Sequence, residues 1–62
     1  MCESTAYILK DGQEKIVLEN VDFLENGDEQ VKLVDLFGEE KILTARVKAF
    51  YLLDHKIILE PL

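Results

Sequence analysis

A chain of 62 residues with one cysteine, Cys2, has to hold itself together without a covalent staple. A domain this short buries only about 60% of the surface its unfolded chain exposes, and its core rarely supplies more than ~3–5 kcal/mol of net stability. Domains of this size therefore add disulfides, a structural metal or a partner chain. One cysteine forms no intrachain disulfide, and one Cys, one His and one Met are too few soft ligands for a closed zinc site. Self-association is what remains. The sequence thus predicts one small domain over 1–62 that works as a homodimer. It is also too short to wall the deep cleft of a two-domain enzyme.

Charge narrows the partners. Thirteen acidic residues stand against seven basic ones, a net charge of −6, and Arg46 is the single arginine. Nucleic-acid affinity comes largely from Lys and Arg neutralising phosphates, and anionic membranes attract the same cations. Neither is an expected partner. A hydrophobic share of 48%, with one Pro and three Gly, is too apolar for a disordered segment. The longest apolar runs are four or five residues, far short of a membrane span. No basic stretch followed by an apolar one opens the chain, so no secretory signal is read and a cytoplasmic, reduced-thiol protein is expected.

The pattern of the chain is that of strands. Ser4 to Lys10 holds Thr5, Tyr7 and Ile8, which favour strand, and Lys15 to Glu19 is a second short apolar run. Between them Asp11-Gly12-Gln13-Glu14 reads as a hairpin turn. Asn20 to Gln30 fits neither a helical nor a strand period and reads as a bent segment that tucks Phe23 or Leu24 into the core, with a turn at Asn26-Gly27-Asp28. From Gln30 to Leu36 the residues Val31, Leu33 and Asp35 share one face. Phe37-Gly38-Glu39-Glu40 supplies the next turn. Lys41 to Leu53 has period two, with Leu43, Ala45, Val47, Ala49 and Tyr51 on one side and Ile42, Thr44, Arg46, Lys48 and Phe50 on the other. A helical stripe through Ala45, Lys48, Ala49 and Leu52 is the competing reading, but the parity split is cleaner. Asp54-His55 turns the chain into a closing strand from Lys56 to Glu60, which Pro61 ends. Five short strands in so short a chain predict an all-β, partly closed barrel whose interior is filled by side chains.

Few residues could carry chemistry. Glu39 and Glu40 read as a solvated patch in a turn. A triad of Ser4, Asp54 and His55 would need neighbours in sequence that point apart. His55 is read as an exposed turn residue, although an imidazole would suit a metal ligand or a proton carrier. Cys2 stands out by its position. With Met1 removed, its α-amine and thiolate would close a five-membered chelate ring on a metal. With Met1 kept, the Met1 amine, the Cys2 amide nitrogen and the Cys2 thiolate form an N, N, S set. Thiolates favour soft or borderline metals, and square-planar nitrogen-rich sites suit Ni(II) or Cu(II). Cytoplasmic copper is held as Cu(I), so Ni(II) fits better. One chain supplies only half to three-quarters of such a site, and a two-fold dimer brings a second Cys2 to it. The small core and the incomplete site thus ask for the same partner.

The sequence also resembles a family. It opens Met-Cys-Glu-Ser-Thr-Ala-Tyr-Ile-Leu, continues with Asp-Leu-Phe-Gly-Glu-Glu-Lys at 35–41, and closes with Leu-Leu-Asp-His-Lys-Ile-Ile-Leu-Glu at 52–60. Together with the chain length, these stretches resemble the CooT family, small nickel-binding proteins associated with maturation of carbon monoxide dehydrogenase. The resemblance implies a non-enzymatic homodimer of SH3-like β-barrels that binds one Ni(II) between two Cys2 residues, with a nickel enzyme or another maturation factor as partner. The HypC-like hydrogenase maturation chaperones also start Met-Cys, but they continue Leu-Ala-Ile-Pro-Gly where this chain has Glu3-Ser4-Thr5-Ala6-Tyr7. They rank second, and a protein-interaction module without metal ranks third.

Overall fold

The computed structural model describes residues 4–62. Within them the fold is all-β: six strands and no helix, hence no helix long and apolar enough to cross a membrane. β1 (Ser4–Lys10) and β2 (Gln13–Asn26) form the first hairpin. Both turn residues have positive φ, 55° at Asp11 and 78° at Gly12. That is the two-residue turn whose twist matches the strands it joins, and Asp-Gly is among its preferred pairs. Lys10 accordingly pairs with Gln13. The turn is tighter than the four residues the sequence suggested.

β2 is one strand of 14 residues where a short strand and an irregular segment were expected. Fully extended it would run about 46 Å at ~3.3 Å per residue, yet the molecule is only 30 Å along its longest axis. The strand therefore has to bend. It does so at Asn20, which has φ 58°. Pairing slips between Val21 and Phe23 on the β3 side, and around Ala6 on the β1 side. Such irregularities bend a strand and increase its twist. The first half of β2 pairs with β1 and the second half with β3 (Val31–Asp35). Beyond the bend, Leu24 packs against the core while Phe23 stays 47% exposed.

β3 turns into β4 (Glu40–Leu43) through residues 36–39. On β3, Val31, Leu33 and Asp35 are buried, as the alternation predicted. The buried carboxylate has partners: Asp35 Oδ1 accepts from the Phe37 amide at 2.9 Å and from the Glu39 amide at 2.8 Å. The Gly38 amide donates to the Asp35 carbonyl at 3.1 Å, and Gly38 takes φ 87°. Asp35 thus holds the turn from inside and Gly38 supplies its left-handed step.

The expected strand from Lys41 to Leu53 is two strands, β4 and β5 (Ala45–Tyr51), so the count is six rather than five. Thr44 alone separates them. The parity survives the corner: Ile42, Thr44, Arg46, Lys48 and Phe50 are all exposed, whereas Ala45 is buried and Leu43 and Val47 pack on the core. Tyr51, at the strand end, departs from it and is exposed. β6 (Lys56–Pro61) then runs antiparallel to β5 and parallel to β1. The order β4-β3-β2-β1-β6-β5 makes one sheet, curled into a half-barrel around Ala6, Leu18, Val21, Val31, Leu33, Ala45, Ile57 and Leu59.

Asp35→Ala removes the acceptor of two backbone amides beside the core. The expected loss is about 1.5–3 kcal/mol, the range for hydrogen bonds to a charged group, read as a lower urea midpoint at unchanged m. Asp35→Asn keeps an oxygen there and should lose less. Equal stability of the Ala variant and the wild type would show that the turn does not depend on this carboxylate.

Candidate functional site

Cys2, the residue the sequence singled out for metal binding, lies outside the described residues. What the structure fixes is where the chain leading to it enters the barrel. β1 lies between β2 and β6, with Ser4 opposite Val21 and Thr5 opposite Lys56. The Thr5 amide donates to the His55 carbonyl at 2.9 Å. The start of β1 is therefore tied directly to the β5–β6 turn. Two residues span at most ~7 Å, so Cys2 reaches no farther than that from Ser4.

At this place Ser4, Phe50, Tyr51, Leu52, His55, Lys56 and Ile57 line a shallow apolar concavity of about 420 Å³. The turn beyond it is strongly exposed, Leu52 at 81% and Leu53 at 97%. His55 closes the turn with φ 51°, its amide donating to the Leu52 carbonyl at 3.4 Å. The imidazole is exposed, as read from the sequence. No hydrogen bond joins the Ser4, Asp54 and His55 side chains among the described residues, so the structure does not assemble that triad.

Among the described residues Lys56 is the one lysine or arginine at this concavity, and it is already engaged. Its Nζ lies 2.8 Å from Glu14 Oε1. It also sits 5.2 Å from the centre of the Tyr7 ring and 5.8 Å from that of Tyr51. The hydrogen bond to Glu14 outweighs the cost of desolvation and, with that carboxylate's charge, raises the ammonium above the ordinary lysine range. Lys56 therefore stays protonated and offers neither a nucleophile nor a nitrogen ligand at neutral pH. Glu40 is a β4 residue rather than a turn residue, and it pairs with Lys32 at 2.9 Å. Among the described residues no three His, Cys, Asp or Glu side chains converge on one metal position.

Sequence reasoning missed the exposed apolar rim. The signal was present as Ala49-Phe50-Tyr51-Leu52-Leu53, the longest apolar run, but it was read as the end of a strand. It also missed Phe37, which is 85% exposed at the tip of the turn that Asp35 holds.

The family model of CooT, described as CO dehydrogenase accessory protein CooT, matches residues 1–60. The crystal structure assigned to CooT from Carboxydothermus hydrogenoformans is similar to this fold with a TM-score of 0.89; it is 38% identical and the match covers 98% of each chain. Among curated proteins none matches the chain.

The backbone at His55 gives a direct test of its role. His55→Gly should leave stability within about 0.5 kcal/mol of wild type or raise it, because glycine adopts a positive φ readily. His55→Val should lose roughly 1–2 kcal/mol, because a branched side chain is strained there. Urea melts of both variants decide it. A large loss in the Gly variant would mean that the imidazole itself holds the turn.

Proposed function

The chain belongs to the CooT family of CO dehydrogenase accessory proteins, and from that premise we propose that it handles Ni(II) as cargo for a nickel enzyme, with one ion shared between the Cys2 residues of two copies. It is an accessory protein rather than an enzyme. The observation that carries the nickel reading is that the family match begins at residue 1 and so takes in the Met1-Cys2 start. Cys2 brings a thiolate and an adjacent backbone nitrogen, the donor set that suits Ni(II). The net charge of −6 favours approach of a dication. Lys56, held protonated by Glu14, does not compete for the metal. The sequence departs from the HypC-like start at Glu3-Ser4-Thr5-Ala6-Tyr7, and the match to CooT supports the first reading over that one.

The thiolate is the indispensable donor on this reading. Cys2→Ser replaces it with a hard, protonated hydroxyl, so tight Ni(II) binding should vanish while the fold survives, because a chain end adds little to the core. His55→Ala should keep most of the affinity. Binding should weaken as pH falls, since a thiol of pKa near ~8.5 and an amine must both lose protons to ligate. Calorimetric titration of tag-free wild type, Cys2→Ser and an N-terminally extended form checks all of this. Unchanged binding in Cys2→Ser would shift the site to the carboxylates or His55. Strong binding by the extended form would keep the thiolate and replace the amine by a backbone amide.

A further inference from the structure

We propose that Asn26 is a site of spontaneous deamidation, and that the turn between β2 and β3 holds it in check by engaging the amide of Gly27. The nickel reading makes no use of this turn, so the two stand or fall separately.

The chemistry lies in the dipeptide Asn26-Gly27. The backbone nitrogen of Gly27, once it sheds its proton, can attack the carboxamide carbon of the Asn26 side chain. A C–N bond forms and the Cγ–NH2 bond breaks. The lost proton returns through solvent to the departing nitrogen, which leaves as ammonia. The product is a five-membered succinimide, and water opens it at either carbonyl to give aspartate or isoaspartate. No oxidant or enzyme is required. A side chain on the following residue hinders ring closure, so glycine is the most permissive follower.

The chain has two asparagines, and they differ in this respect. Asn20 precedes Val21, which is β-branched, buried and paired with Ser4 and Asp35. Asn26 is exposed and precedes Gly27. Asp11-Gly12 shares the glycine, but a carboxylate is a poorer electrophile than a carboxamide.

Two contacts keep the reacting atoms apart. The Gly27 amide donates to the Gln30 carbonyl at 2.7 Å, a short hydrogen bond that retains its proton. Asn26 ends β2 and pairs with Val31, the first residue of β3, which is fully buried. Extended backbone keeps ψ near about +135°, whereas ring closure needs the Cα–C bond turned until Cβ eclipses the next nitrogen. Close approach explains why the permissive follower is there at all. A Cβ on residue 27 would stand 3.1 Å from Gln30 Cγ and 3.2 Å from the Gln30 carbonyl oxygen.

Opening of the turn at 27–30 releases both contacts together. The rate in the folded chain is then the rate of the free chain multiplied by the fraction of time the turn is open. Residues 25–30 are all exposed, so this opening belongs to the low-stability end of the molecule and does not wait for global unfolding. Either product adds a carboxylate beside Glu25, Asp28 and Glu29. Isoaspartate also adds a backbone methylene at the position opposite Val31.

The test incubates the full chain at neutral pH, in buffer and in guanidinium chloride, and follows the exchange of carboxamide for carboxylate by peptide mass. Lys15 and Lys32 bracket both asparagines, and fragmentation of that tryptic peptide separates them. Hydrogen exchange of the Gly27 amide is measured in parallel. In denaturant Asn26 should convert well before Asn20. In buffer Asn26 should convert at least about tenfold more slowly, by the same factor that protects the Gly27 amide from exchange. Asn26→Gln should abolish the conversion in both, because its ring would have six members and closes slowly. Equal rates in buffer and denaturant would overturn the proposal. So would Asn20 converting first, no conversion of Asn26 in denaturant, or a slowing that departs from the Gly27 protection by more than about tenfold.

Discussion

One residue decides the shape of this molecule. β4 and β5 occupy opposite ends of the six-strand order, yet only Thr44 separates them in sequence. A residue spans about 3.6 Å, whereas a flat sheet would hold its outer strands some five spacings, about 24 Å, apart. The sheet therefore has to curl until its ends meet. The bend of β2 at Asn20 and the irregular pairing around Ala6 supply the curvature. At the meeting point the Leu62 amide donates to the Thr44 carbonyl at 3.2 Å, and Pro61 pairs with Ala45. Among the described residues no ladder joins β4 to β5, so the closure is a corner and the barrel stays half open.

Curling decides where function can sit. The inside of so small a barrel fills with side chains, and Val31, Leu33 and Leu59 are fully buried there. Chemistry is left to the rim. The parallel pairing of β1 with β6 brings the start of β1 to the turn before β6, so Ser4 and the most exposed apolar residues lie side by side. Cross-strand ion pairs, such as Arg46 with Glu60 at 2.6 Å, lie on the outer surface and contribute modestly. The core does most of the holding, which keeps the rim free for partners.

The turns and the strand faces were legible because their signals are local. Asp11-Gly12 names its own turn, and the parity of residues 42–50 matches the exposed face. Leu33 and Val31 declared the buried side of β3. What could not be read depends on contacts far apart in sequence. Parity does not mark a corner at Thr44, because the inward side of β4 becomes the inward side of β5 without a phase change. The unity of β2 was hidden because one strand serves two neighbours across a bend, which scrambles its period around Asn20. Asp35 was placed on the inner face, but its reason for being there is the backbone of the next turn. For the proposed site, Cys2 was singled out by its chemistry alone and lies outside the described residues. The setting of Ser4 beside Phe50–Leu52 was not legible, because only the pairing of the first strand with the last creates it.

The proposed function implies a two-way coupling. A metal held by two Cys2 thiolates across an axis binds the dimer and not the single chain. Nickel then stabilises the dimer by mass action, and by the same linkage the dimer raises the affinity for nickel. On this reading the cargo joins the copies through the nitrogen and sulfur donors that each supplies. Release follows from the same geometry, since anything that separates the copies leaves the metal with half its thiolates. A partner that competes for the face between the copies would therefore lower nickel affinity without touching a ligand. For a chain too short to hold a closed metal site of its own, sharing the donors between two copies makes assembly and cargo binding one equilibrium.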